Sequence, residues 1–288
     1  MVINNKKSAI QLTIETPLPE SLQEIPRLDE TSYRYLGFEM KKGEIERNVM
    51  MSKLEERIRK KLEEPLKRVD NFESWNWIQY VNQNIMSVVR FYSGPVKFTL
   101  GWLDRIDKMI GLHLTSQGLL MKRGMATSRL YVKPDDMGLG LKSCLAVYLL
   151  ELVRIILQYK WGTIFRSEWF WRTEEMTKRN GKGVWLQEIE KVLKRFDASL
   201  ERLIERIKMR DGEMEIIRQN VEIEEHEKKE MLRAKRMTSI AEVMEEAEVL
   251  IDTHFFNELS KTKSSMFLKR VLENRKSIDM HLLKKTWR

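Results

Sequence analysis

All six prolines of this 288-residue chain lie before residue 135, at positions 17, 19, 26, 65, 95 and 134, and the last glycine is Gly212. Proline and glycine are the strongest breakers of regular structure, so a long tract without them favours long, uninterrupted elements, of which helix is the longest. The distribution therefore predicts a mainly α chain with a turn-containing first half and an almost wholly helical second half. Three parts follow from it: a small N-terminal β-hairpin within residues 1–44, a helical domain over 45–160, and a long-helix C-terminal extension over 161–288.

In the first part, Ile10 to Ile14 alternates apolar and polar residues, as a half-buried strand does, and Tyr33 to Met40 suits a second strand. Pro17 to Pro26 reads as a loop, and Lys42-Gly43 as a turn. In the second part, Val49, Leu54, Ile58, Leu62, Leu66 and Val69 predict one apolar stripe of an amphipathic helix, broken or kinked near Pro65. Further helices are predicted from Trp75 to Tyr92, ending before Gly94-Pro95, and from Thr99 to Leu114 with Trp102, Leu103, Ile106, Met109 and Ile110 on one face. A loop-like stretch from Arg129 to Gly140 leads into an apolar helix over Leu145 to Tyr159.

The third part opens with an aromatic cluster: Trp161, Phe165, Trp169, Phe170, Trp171 and Trp185. Ile189, Leu193, Phe196, Leu200, Leu203 and Ile207 then follow alternating spacings of four and three, a heptad-like segment over 189–207. That stripe serves either a helical hairpin within the chain or an intermolecular coiled coil giving self-association or a partner helix. The stretch Glu213 to Glu230 that follows is acidic, with seven Glu against three Lys or Arg.

Composition removes several classes of function. Cys144 is the one cysteine, so a disulfide framework and a Cys-based zinc site are both excluded. The four histidines, His113, His226, His254 and His281, are too scattered for an HExxH-type pair. The longest apolar stretch, Leu145 to Leu157, is interrupted by Glu151 and Arg154 and is too short to cross a bilayer. No signal-peptide pattern begins the chain. These features predict an intracellular protein off the membrane, with nucleus and cytoplasm not distinguished. Phosphate loops, GxGxxG and GxSxG are missing. Asp135-Asp136 follows Pro134 and precedes Met137-Gly138, which reads as turn chemistry rather than a metal site. His113 reads as a packing or capping residue. No catalytic residue, metal ligand or cofactor is assigned.

Charge says more. Lys and Arg total 52 against 43 Asp and Glu, a net charge of +9. On the first predicted helix Arg47, Lys53, Arg57, Arg59, Lys60, Lys61, Lys67 and Arg68 outnumber Glu55, Glu56, Glu63 and Glu64. Basic residues also interleave with aromatics at Arg90-Phe91-Tyr92, Lys97-Phe98 and Arg129-Leu130-Tyr131, followed by Lys133. Cations follow a phosphate backbone and rings stack on bases or sugars, so this pattern suits a nucleic-acid groove. A solvated charged surface over an aromatic core would give the same counts.

Several motifs, in order, resemble the distal part of a non-LTR retrotransposon (LINE-type) reverse transcriptase. Val2 to Ser8 is similar to the family's INxxKS segment at the end of the palm, and Tyr35-Leu36-Gly37 to its YLG motif between palm and thumb. Val89 to Gly94, then Trp102 to Lys108, resemble the thumb's lRYg turn and LDxxDrk helix. Arg129 to Ser143 resembles the segment RLYLPRxxGGxGLxS, departing from it at Met137, where the family has a glycine. The resemblance covers about residues 1–145 and implies a palm remnant followed by a thumb-like domain. It implies binding of RNA, DNA or their hybrid, with Lys7 near an incoming nucleotide. The family's metal-holding [FY]xDD aspartates lie upstream of INxxKS and have no counterpart here, so divalent metal is expected only for a full-length polymerase, and this chain is not expected to polymerise by itself.

The expected nucleic-acid contacts are Lys7, Lys53, Arg57, Lys60, Lys61, Arg90, Lys97, Arg129 and Lys133, directed at phosphate and sugar. The rival expectation is a coiled-coil structural or interaction protein that uses its C-terminal helices.

Overall fold

The computed structural model describes residues 33–41, 44–64, 74–117, 127–136, 138–161, 175 and 185–261. Within them the chain is mainly helical, with a small antiparallel sheet near its start. The readings of Ile10 to Ile14, the Pro17–Pro26 loop, the Lys42-Gly43 turn, the kink at Pro65, Leu66, Val69 and the aromatic residues from Phe165 to Trp171 lie outside the described residues, as do Lys7 and the INxxKS-like segment.

The sheet has the order β1 (Tyr33–Tyr35), β2 (Phe38–Lys41), β3 (Glu44–Ile45). Tyr33 to Met40 is therefore not one strand. Tyr35 pairs with Phe38 across a two-residue turn in which Leu36 (φ 49°) and Gly37 (φ 90°) are both left-handed. Such a turn matches the twist of the strands it joins, and only its glycine adopts that backbone without strain. The sheet also runs past residue 44, because β3 pairs with β2 on the far side of Lys42-Gly43.

Helix α1 (Arg47–Glu63) buries Met50, Met51, Leu54, Ile58 and Leu62. Val49 lies outside that stripe and is exposed, because Met50 and Met51, four and three residues before Leu54, take the inward positions. The next helix runs as α2 (Ser74–Tyr80), a π-helical turn (Val81–Ile85) and α3 (Met86–Ser93). The π turn turns Asn82 toward a distant segment: its side-chain amide donates to the Gly140 carbonyl (2.9 Å), and its oxygen accepts from the Lys142 N–H (2.8 Å).

Thr99 caps α4 (Leu100–Ser116) by accepting from the Trp102 N–H (3.2 Å). Its inward face is Trp102, Leu103, Ile106, Ile110 and Leu114, and Phe98 stacks on Trp102 at 4.5 Å. Helix α5 (Cys144–Trp161) is apolar on nearly all sides and is the centre of the core. Ser143 caps it, its hydroxyl accepting from the Ala146 N–H (3.0 Å).

The heptad-like stripe does not form one helix. Helix α6 (Trp185–Leu193) passes into a 3₁₀ turn (Lys194–Phe196), Asp197 is left-handed (φ 53°), and α7 (Leu200–Gln219) starts afresh behind Ser199, which accepts from the Glu201 N–H. Ile189, Leu193, Phe196 and Ile207 are buried inside the chain, and Leu200 and Leu203 are half-buried. The 4/3 spacing survives the break because both helices turn an apolar side to the same core. Helix α7 pairs with the 37-residue α8 (Glu225–Lys261), and α8 also packs on α5. Among the described residues no helix is long and apolar enough to cross a membrane.

Candidate nucleic-acid interface

Lys53, Arg57, Lys60 and Lys61 fall within about 100° of arc on α1, since 3.6 residues make a turn. This arc borders the buried stripe, so Lys53 and Arg57 emerge beside neighbouring elements. Lys53 Nζ pairs with the Glu39 carboxylate on β2 at 2.6 Å. Arg57 Nη1 donates to Tyr92 Oη on α3 at 3.4 Å. Lys60 pairs with Glu56 one turn back at 2.7 Å, and that hydrogen bond holds its pKa above the ordinary lysine value. The Lys61 carbonyl accepts from Tyr80 Oη at 2.8 Å.

Where Arg57 reaches α3, the sheet meets the same helix. The Phe38 ring lies 6.1 Å from Phe91, stacked, and 5.2 Å from Tyr92, edge-on. Phe91 and Tyr92 sit 4.9 Å apart, nearly perpendicular. Tyr92 is buried, whereas Phe91 keeps 62 % of its surface exposed. The exposed Arg90 is its chain neighbour. The Leu36-Gly37 turn hangs over this patch, with Leu36 exposed and a Cβ on Gly37 falling 3.3 Å from Tyr92 Oη. An open aromatic face rimmed by Lys53, Arg57 and Arg90 is therefore built from three separate elements. Phe38 and Glu39 were not among the residues singled out from the sequence. Gly37 was the signal for a hairpin turn that would have put Phe38 and Glu39 at the start of a second strand, whereas the packing of that strand on α3 comes from the fold.

Lys97 is half-buried in the extended segment ahead of α4. Arg129 and Lys133 lie on a different structure, a closed loop over residues 129–141. Cross-bonds shut that loop: Leu139 N–H to Arg129 C=O, Leu141 N–H to Leu130 C=O, Gly140 N–H to Val132 C=O and Gly138 N–H to Lys133 C=O, all between 2.8 and 3.0 Å. A Cβ on Gly138 would fall 1.9 Å from the Val132 carbonyl oxygen, so this closure demands glycine. Burial lowers the Arg129 pKa below its ordinary value. Lys133 Nζ pairs with Asp252 of α8 at 2.5 Å.

Other polar groups are committed to structure. Asp107 Oδ1 accepts from the Cys144 N–H at 2.7 Å, at the start of α5, and burial pushes its carboxyl up to about 7. Burial first, then the neighbouring Asp107, push the Cys144 thiol well above its ordinary value, which leaves it protonated and unreactive. His113 packs edge-on against Trp77 at 5.1 Å, and burial lowers its pKa. A cleft of about 910 Å³ beside α4 includes Asp104, Asp107, Arg195 and His254, but Asp104 is paired with Arg195 at 2.5 Å. Asp135 and Asp136 lie in a 3₁₀ turn that begins at Pro134. Among the described residues no group of three or more His, Cys, Asp or Glu is placed to hold a metal ion. No family model, curated protein or solved structure matches the chain.

Proposed function

We propose that this protein binds nucleic acid through the face formed by α1, α3 and the small sheet, as a reverse-transcriptase-like protein of the non-LTR retrotransposon type would through its thumb. The observation that carries the reading is the meeting of Arg57 with Tyr92 beside the exposed Phe91, on the arc shared with Lys53, Lys60 and Lys61. In this reading the sheet belongs to a palm remnant and α1 to α5 to a thumb-like domain. The ammonium and guanidinium groups contact phosphates, and Phe91 stacks on an exposed base or sugar. Such contacts tolerate any sequence, because none is directed at base edges in a groove. Polymerisation is no part of the proposal.

Fluorescence anisotropy with a short RNA–DNA hybrid, a DNA duplex and a single strand, each at several salt concentrations, tests it. Affinity is expected to fall linearly in log salt. Arg57→Glu combined with Lys61→Glu should weaken binding to every sequence and flatten the salt slope by about two, one phosphate contact per residue. Binding that this double variant leaves unchanged would remove the α1 face from the interface.

A further inference from the structure

Helix α8 lies across the closed loop and offers it what a nucleic-acid strand would offer. Glu248, Asp252 and Phe255 are spaced four and three apart, so they share one face of α8. The Asp252 carboxylate sits on the Lys133 ammonium, and Glu248 is close enough to help raise the Lys133 pKa, after the larger contribution from Asp252. One turn on, the Phe255 ring lies 4.8 Å from Tyr131, tilted by 32°. The two carboxylates stand where phosphate oxygens would meet Lys133, and the Phe255 ring stands where a base would meet Tyr131. Between the surfaces remains a pocket of about 130 Å³ whose lining includes Tyr131, Lys133, Lys142, Glu248 and Asp252.

We propose that the closed loop carrying Arg129, Tyr131 and Lys133, with the adjoining Lys142, is a second nucleic-acid-binding surface, and that α8 is a strap that occupies it in the free protein. The inference rests on the nucleic-acid reading above and adds a regulated site to it. Phosphate and carboxylate compete for the same cation, and base and phenyl ring for the same phenol face, so strap and strand exclude each other. The exchange costs little at its polar end. Lys133 retains 54 % of its side-chain exposure, so its ammonium stays solvated and the pair is weak on that side, although the Asp252 Oδ2 that meets it is shut from water.

The test is anisotropy binding of the full chain to an RNA–DNA hybrid and to a single strand. Asp252→Asn with Phe255→Ala should raise affinity on the order of tenfold, the combined contribution of an exposed ion pair and a ring contact. It should also steepen the salt slope by about one, because Lys133 becomes available to a phosphate. Adding Lys133→Ala to the opened protein should return the slope to its starting value. Glu248→Gln with Asp252→Asn keeps Phe255 and its packing, and should give the slope change with a smaller gain in affinity. If the wild-type protein binds but neither opened variant binds more tightly, the strap is refuted, and Arg57→Glu with Lys61→Glu alone decides the α1 face. If neither wild-type nor opened protein binds at low salt, both are refuted.

Discussion

Helix α5 and helix α7 are of similar length and have opposite means of support. Of the 18 residues of α5, thirteen are buried, and its neighbours α3, α4, α6 and α8 enclose it. Of the 20 residues of α7, only Ile207 and Met214 are buried. What fastens α7 to α8 is a ladder of charges: Arg206 to Glu246 at 3.2 Å, Arg210 to Glu242 at 2.8 Å, and Lys235 to Glu213 at 2.7 Å. Burial of apolar area is insensitive to salt, whereas half-exposed ion pairs are screened by it. Helix length therefore says little about local stability. The first block should unfold as a unit, and the α7–α8 hairpin should open first and respond to ionic strength.

The largest expected effect lies in the first block. Trp102→Ala empties a fully buried site stacked on Phe98 and should cost about 3–5 kcal/mol in urea denaturation followed by circular dichroism. Ile216→Ala on the exposed side of α7 should change the same measurement by less than about 0.5 kcal/mol. Equal losses would erase the contrast between the two regions.

Smaller, and dependent on pH, is the contribution of Asp107. Its carboxyl titrates near 7 in the folded chain, against an ordinary value of 3.8, because burial disfavours the charge. A folded-state pKa raised in this way gives stability that is fully present below about pH 3.8 and is lost as pH rises through about 7, a change of at most a few kcal/mol. In Asp107→Asn the amide oxygen can still accept from the Cys144 N–H, so this part of the pH dependence should vanish. A urea midpoint measured across that pH window decides it. An unchanged slope would mean that the carboxyl is not the group responsible.

Arg210→Ala should have the smallest effect and the clearest salt signature. Arg210 bridges Glu213 of its own helix and Glu242 of α8. Its loss should destabilise α7 by about 1 kcal/mol at low ionic strength and by much less in 1 M salt. Hydrogen exchange of the α7 amides reads this directly. A loss that is the same at both salt concentrations would show that the hairpin is held by packing after all.

The helices that sequence reasoning placed best are those whose signals are local. Thr99 ahead of an apolar face started α4, Gly94-Pro95 lay at the end of α3, and a dense apolar run marked α5. The misreadings have a common cause, which is that spacing reports a face and not the continuity of the backbone. The Ile189 to Ile207 stripe passes through the left-handed Asp197 without losing register, and Tyr33 to Met40 keeps strand-like residues on both sides of a tight turn. At the candidate interface the cations were legible because charge is a property of single residues. Their partners were not. Glu39, Tyr92 and Asp252 meet Lys53, Arg57 and Lys133 only through the fold, since no sequence period links them.

The Asn82 side chain that grips Gly140 and Lys142 has a consequence for the rate at which the closed loop could capture a strand. The grip comes from the π turn and not from α8, so the loop would keep its shape were α8 to leave it. Its conformational entropy is lost during folding rather than at the encounter. Capture would then resemble a key entering a lock already cut, limited by how often α8 lifts and not by any ordering of the loop. Association should slow when α8 is held down, with little heat-capacity change arising from the loop itself.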